Sequence, residues 1–320
     1  MKKRKLGKTV LILLLAGWCL LFLRCESTAK SMVRAVYLAQ AGAEYQVGLL
    51  YQAPEAAADA ADASAALQFV QAQASGLEAA FAAAEQQLPQ AASYRLCDYL
   101  LLPQTLPESV LTAYEQLLLR RPCGRMAAKL VCAAGDPEEL AEISMLPDAL
   151  MDALRQNTAV MPRFYQRREG ILLPALQWQN ETVEPLPGGV LYTATEPLAL
   201  DAAQAEAYRL LSGMGGSRSF WLEDAQVRIR RSTVTVTLDR EAVLVRLDCQ
   251  RLYQSVQPTA AQCAALAEHC NALVQLCWRQ GIDLLHLEQR AALQYGTEEG
   301  FMPTKNACPQ LRTDVRFLPF

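Results

Sequence analysis

Histidine is nearly absent from this chain of 320 residues; the two present are His269 and His286. That leaves few places for a general base, a proton relay or an imidazole metal ligand. Paired cysteines are missing too. The ten cysteines form no CxxC motif and no close paired spacing of the disulfide-scaffold kind, so they read as small buried hydrophobes. A basic surplus is also lacking. Thirty cations stand against 33 anions, a net charge of −3, and no Lys/Arg stripe follows the first few residues. Nucleic acid is therefore not an expected partner. The hydrophobic share is 52%, but much of it is alanine, which favours helices and builds thin cores. Beyond residue 25 no stretch is long and apolar enough to span a bilayer.

The start of the chain is where apolar residues do run together. Lys2, Lys3, Arg4, Lys5 and Lys8 precede an almost wholly apolar run from Thr9 to Leu23. Such a run, as a helix, spans about 22 Å against a hydrocarbon core of roughly 30 Å. This suits either a signal peptide or a short signal anchor whose Lys8 and Arg24 reach the two interfaces. The cationic flank stays inside, so the rest is expected on the extracytoplasmic face. Cys25 is the lipidation candidate. Phe22, Leu23 and Arg24 precede it, and these fit the narrow pocket of a lipoprotein signal peptidase badly. An uncleaved anchor is favoured over a diacylglyceryl-Cys25.

The chain then divides into residues 26–146, a connection over 147–169, and residues 170–320, behind an anchor of residues 1–25. Val33–Leu38 and Tyr45–Gln52 flank Ala41-Gly42 as a hairpin. An Ala/Asp-rich stretch over residues 53–66 follows as an exposed loop or frayed helix, and Gln68–Gln73 as a short strand. Ser75-Gly76-Leu77-Glu78 and Thr105-Leu106-Pro107-Glu108 read as capping boxes opening helices. Strands are expected over Ser93–Leu102 and Arg125–Ala133, and Asp136 as the cap of a short helix. In the second part, Asp201 caps a helix to Leu211. Strands follow over Gln226–Arg231, Thr233–Leu238 and Ala242–Tyr253, an antiparallel meander with one wet face. Thr259 opens the longest helix, to Gln280; Gly281 interrupts it, and Ile282–Tyr295 continues helical. Leu311–Leu318 closes the chain as a strand. The fold class is α+β: two or more mixed units with largely antiparallel sheets.

Candidate chemistry is sparse. Cys263, Leu266, Cys270, Leu273 and Cys277 fall at a/d spacing on the long helix, a narrow packing stripe. His269 lies about 100° round from Cys270, so the set does not converge on a metal. Asp283, His286 and Glu288 cluster at the helix break, where Asp283 reads as a local cap. Gly213-Met214-Gly215-Gly216 lacks the Lys-Ser/Thr of a phosphate loop. Gly188-Gly189 reads as a backbone requirement at a turn. Trp178, Trp221 and Trp278 read as core or rim aromatics. No catalytic, cofactor-binding or metal residue is assigned, and the chain is expected not to be an enzyme.

Several stretches carry a family likeness: Ala35-Val36-Tyr37-Leu38, Glu44-Tyr45-Gln46-Val47, Leu77-Glu78-Ala79-Ala80-Phe81, and Tyr94 through Leu102. The Pro107–Arg121 helix follows them in order. The second part adds Leu172-Leu173-Pro174, Gly188-Gly189-Val190-Leu191-Tyr192 and Arg279-Gln280-Gly281-Ile282-Asp283-Leu284-Leu285. In this order the chain resembles the C-subunit family of nutrient germinant receptors of spores. The lipobox is degenerate, since Arg24 precedes Cys25 and Glu26-Ser27 follow it. The resemblance implies a non-catalytic, membrane-anchored subunit on the outer side of the spore inner membrane, with integral membrane receptor subunits as partners. An anchored extracytoplasmic binding protein or assembly factor of similar build is the alternative.

Overall fold

Alternating apolar residues just after position 30 pair as expected. In the computed structural model, which describes residues 30–53, 67–157, 161–167, 170–179, 181–192, 197–213, 216–239, 242–296 and 308–319, β1 (Ser31–Ala41) and β2 (Glu44–Gln52) form an antiparallel hairpin. Gly42 takes φ +62° in its turn, a conformation readily open to glycine. Residues 1–29, with the segment expected as an anchor and Cys25, and residues 54–66 of the Ala/Asp-rich stretch, lie outside the described residues.

β3 (Leu67–Ala74) pairs with β2. Then come α1 (Leu77–Gln86), β4 (Ala92–Ser93), β5 (Tyr99–Pro103), α2 (Glu108–Arg120), β6 (Lys129–Ala133), α3 (Pro137–Glu142) and α4 (Leu146–Gln156). A 3₁₀ turn, Phe164–Gln166, leads to β7 (Ile171–Leu173), β8 (Ala175–Gln179), β9 (Thr182–Pro185), β10 (Gly189–Tyr192), β11 (Leu198–Leu200) and α5 (Ala202–Leu211). Last are β12 (Arg218–Leu222), β13 (Ala225–Leu238), β14 (Val243–Arg251), α6 (Ala260–Arg279), α7 (Leu287–Tyr295) and β15 (Leu311–Leu318). The fold is α+β with several sheets.

The large sheet runs β3-β2-β1-β5-β6-β8-β9, with β4 beside β1. Its outer pairs are antiparallel, while β1–β5, β5–β6 and β6–β8 are parallel. Each parallel step follows a crossover that carries a helix, the only economical way to bring a strand back in the same direction. Both faces are consequently buried. One packs Val36, Leu38, Leu100 and Leu130 with Phe81 of α1 and Val110, Leu111 and Tyr114 of α2. The other packs Tyr37, Leu101, Val131 and Trp178 with Leu140 of α3 and Leu150, Met151 and Leu154 of α4. Tyr114 stacks on Phe81 at 5.8 Å and meets Phe164 edge-on at 5.4 Å. Arg167 lies over Phe164 and pairs with Glu108 and Glu115, fixing the 3₁₀ turn against α2.

The second large core belongs to the sheet β12-β13-β14-β15. Val227, Ile229, Val245, Leu247, Val315 and Phe317 face α5 and α6 and pack with Leu266, Cys270, Leu273 and Cys277. β15 runs parallel to β14. Between the two cores lies the small sheet β11-β10-β7. Leu172, Leu191 and Leu200 join the second core, while Ile171, Leu173, Val190 and Tyr192 join the first. Period-two alternation thus gives one sheet to both cores.

Local differences from expectation have physical causes. Ser75 and Thr105 do not cap: α1 starts from Gly76 and α2 from Pro107, neither with a side-chain cap bond. The stretch expected as a connection from residue 147 carries α4, whose Pro147 sits in the first turn, where its missing N–H costs nothing. Residues 94–98 leave the sheet, so the strand expected over Ser93–Leu102 is a short bridge and then β5. Arg231-Ser232 is no turn; β13 runs straight through it, with a register shift between Ile229 and Arg231. Residues 282–286 are not helical, and α7 begins only after His286 at φ +55°.

Candidate functional site

The caps read from sequence are in place where polar side chains precede the second-part helices. Asp201 and Gln204 form a capping box at α5, and Thr259 and Gln262 one at α6. Asp136 accepts from the Glu138 N–H at 2.9 Å. At the far end of α6, Gly281 takes φ +78°. The Gly281 N–H donates to the Trp278 carbonyl and the Ile282 N–H to the Cys277 carbonyl, the paired bonds of a Schellman terminus.

The candidate residues that the structure describes each find a place. On α6, Leu266, Cys270, Leu273 and Cys277 are buried and Cys263 is half-buried. His269 is exposed on the same helix. The Asp283 carboxylate accepts from the Leu287 and Glu288 N–H groups, both at 2.8 Å, so it caps α7. His286, in the turn before α7, and Glu288 are exposed. Among the described residues no three His, Cys, Asp or Glu side chains are grouped to hold a metal ion. Gly188 takes φ +90°, and a Cβ there would collide with the Leu200 and Asp201 carbonyls. Gly189, at φ +155°, lies against the Leu173 carbonyl. The pair serves backbone approach within the small sheet. Met214 and Gly215 lie outside the described residues.

Trp178 and Trp278 are core residues, and the Trp178 indole donates to the Asp136 carbonyl at 2.7 Å. Trp221 differs: it stands on the open face of β12 and is 68% exposed. Sequence reading missed β12 itself. Its signal was the alternation in Arg218-Ser219-Phe220-Trp221-Leu222, where Phe220 and Leu222 face the core and Ser219 and Trp221 face out.

Burial governs the electrostatics. It pushes the thiols of Cys97, Cys123, Cys132, Cys249, Cys270 and Cys277 up to about 12 from 9.0. Thiolate is the nucleophilic form, so these thiols are inert near neutrality. Tyr94 is likewise raised, chiefly by burial and then by the Glu85 carboxylate that accepts its hydroxyl at 2.7 Å. Glu206 of α5 holds Arg218 of β12 at 2.8 Å and Arg209 at 3.5 Å, tying the edge strand to its covering helix.

Among the described residues the surface clefts include the following three. The first, about 410 Å³, lies beside Lys30, Ser93, Tyr94, Arg95 and Arg125. Arg125 on its wall is paired with Asp98 at 2.6 Å, and the Tyr94 hydroxyl donates to Glu85 at 2.7 Å. The second, about 240 Å³, is lined by Ser212, Gly213, Leu284, Leu285, His286 and Arg290. The third, about 300 Å³, is a groove on the open face of the second sheet, over Thr235, Thr237, Leu244, Arg246, Arg312 and Asp314. None gathers a nucleophile, a base and an orienting group. Among the described residues no helix is long and apolar enough to cross a membrane.

No family model matches the chain, and no curated protein matches it. Among solved structures it is similar to the crystal structure of the GerBC protein, with a TM-score of 0.42 and 11% identity over 89% of this chain and 96% of that one. Similarity at that level fixes no function.

Proposed function

We propose that this protein is a non-catalytic subunit of a nutrient germinant receptor in spores, anchored through its N-terminus on the extracytoplasmic face of the inner membrane. The supporting observation is where the family-like stretches fall. Ala35–Leu38 lies in β1, Glu44–Val47 in β2, Leu77–Phe81 in α1, Tyr99–Leu102 in β5, Leu172–Leu173 in β7, Gly189–Tyr192 in β10, and Gly281 at the α6 terminus. They are framework elements in chain order, most of them buried. The domain reading that accompanies this puts residues 26–146 and 170–320 as the two units behind the anchor, although α4, β8 and β9 pack with the sheet of the first.

On this reading the protein contributes surfaces rather than turnover, and holds integral membrane partners beside it. Deleting its gene should abolish or slow nutrient-triggered germination and leave spore formation and resistance intact. Normal germination in the deletion strain, with no redundant receptor encoded, would refute it.

A further inference from the structure

Among the described residues ten large apolar side chains are exposed, and half of them belong to one sheet and the turn that trails it. These are Trp221, Leu244, Tyr253, Val256 and Leu318. The sheet is β12–β15, and its outer face is exposed at alternate positions along every strand. Four of the five cluster where β13 begins and β14 and β15 end. Trp221 pairs with Gln226 and Gln250 with Leu318. The turn carrying Tyr253 and Val256 is held to β13, because the Leu252 N–H donates to the Arg228 carbonyl at 2.9 Å and the Arg228 N–H to the Ser255 hydroxyl at 2.8 Å. Trp221, Tyr253 and Val256 are 68%, 75% and 53% exposed. Clustered exposure of that kind is uncommon on a surface without a partner.

Positive charge is spread over the same face, with Arg228, Arg230 and Arg231 at this end of it. The open face presents six arginines, Arg228, Arg230, Arg231, Arg246, Arg312 and Arg316, against Asp248 and Asp314. The chain as a whole carries a net charge of −3, so this face has the opposite sign to the whole. Asp314 is paired with Arg316 at 2.6 Å, and Arg246 sits directly across from Asp314. Among the described residues Arg228, Arg230 and Arg231 make no salt bridge. The bulge between Ile229 and Arg231 turns Arg230 and Arg231 outward together. Glu223 and Asp224 form the neighbouring hairpin tip, where the Asp224 carboxylate accepts from the Gln262 side chain at 3.2 Å.

We propose that this end of the open face, centred on Trp221, Arg228 and Arg231, is the docking surface for an acidic, partly apolar segment of a partner protein. This rests on the reading of the chain as a partner-holding subunit. The composition favours protein over lipid. Trp, Tyr and Arg are the residues that dominate protein interfaces, where lysine is depleted, and none of the four strands contains lysine. Asp248 and Asp314, set between arginines in neighbouring rows, impose a register on a folded partner. A lipid surface gains nothing from them.

The test uses the tagged full chain, co-expressed in its host with the integral membrane receptor subunits that the subunit reading calls for, solubilised mildly and recovered at low salt. The variants are Trp221→Ser, the double reversal Arg228→Glu/Arg231→Glu, and Arg155→Glu as a control on α4, where Arg155 is paired only with Asp152. The double reversal and Trp221→Ser should each lower the retained membrane protein by about tenfold or more. The control should retain it in full, and all variants should keep the parental far-UV spectrum and melting temperature. Equal retention by every variant would overturn the docking surface but leave the subunit reading standing. No retention by the parental chain would overturn the subunit reading itself. Self-association abolished by the same reversal would assign the face to a second copy. Protection of residues 218–231 from amide exchange in phosphatidylglycerol nanodiscs lacking any partner would assign it to the membrane. Either result would overturn the proposal.

Discussion

Leu273→Ala is the most direct probe of the second core. Leu273 is fully buried on α6 and shares its cluster with Leu266, Cys270, Val274 and Cys277 on one side and Val245 and Leu247 of β14 on the other. Truncation loses the transfer free energy of the removed carbons and leaves a cavity that the surrounding sheet closes only in part. Such changes cost about 2–5 kcal/mol. With a urea m-value of about 3 kcal/mol/M, the unfolding midpoint should fall by about 1 M. Leu293→Ala on the exposed side of α7 is the matched control, expected within about 0.5 kcal/mol of the parent. Cys270→Ser should also destabilise, by about 1–3 kcal/mol, because it buries a hydroxyl among apolar groups. Urea titration by far-UV circular dichroism measures all three. A Leu273→Ala loss under about 1 kcal/mol would refute the packing account, as would stoichiometric zinc that Cys270→Ser removes.

The six buried thiols make stability depend on pH on the alkaline side. Their folded values lie near 12 against 9.0 unfolded, so above pH 9 the unfolded chain binds fewer protons and stability falls as pH rises toward 12. Urea midpoints that stay level between pH 8 and about 11 would contradict this. Thr259→Ala removes the oxygen that accepts from the Gln262 N–H at 3.2 Å and should cost about 0.5–2 kcal/mol by thermal unfolding. Tyr208→Phe strips the hydroxyl that donates to the Gly170 carbonyl at 2.7 Å, for an expected loss of about 1–3 kcal/mol. For the anchor, intact-mass spectrometry of the membrane pellet after a high-salt wash should find the chain uncleaved. A diacylglyceryl group on Cys25 would restore the lipoprotein form.

What was legible in the sequence was local. Asp136, Asp201 and Thr259 announce helix starts because a short oxygen-bearing side chain is the cheapest partner for an orphan N–H. Gly281 announces the end of α6 because the terminus needs a positive φ. The alternation of Leu311–Leu318 is readable because one face is wet. Strand neighbours were not legible in the same way. Nothing in Tyr99–Pro103 or Lys129–Ala133 says that these strands run parallel beside β1; that follows from the crossovers through α1, α2 and the α3–α4 pair. α4 was hidden by Pro147, which reads as a breaker until it is placed in a first turn, although Leu146, Leu150, Met151 and Leu154 already lie along one helical side. The docking face was hidden because exposure is a tertiary fact: Trp221 and Val227 are equally apolar in sequence, and only the pairing of β12 with β13 puts one outside and the other in the core.

The small sheet bears on how such a subunit could work. β7 and β10 are short, yet both of their faces are buried, Leu172 and Leu191 on one side and Leu173 and Tyr192 on the other. A slip of one residue would exchange the two sets, so register here is enforced by both cores at once. Two hydroxyls reinforce it: Tyr192 donates to the Leu106 carbonyl at 2.6 Å, reaching the first core, and Tyr208 of α5 donates to the Gly170 carbonyl, reaching the second. Units joined through a flexible linker would leave a partner-holding face free to wander. Units sharing a wall carry that face at a fixed place relative to β1, where the chain enters from its N-terminal segment. If the N-terminal segment is the proposed membrane anchor, a short tether raises the face's effective concentration toward partner loops into roughly the millimolar range. Rigid coupling lets most of that gain be kept, since no internal joint has to be ordered on binding. On the proposed reading, modest contacts through Trp221 and the neighbouring arginines are then enough to hold a partner in the same membrane.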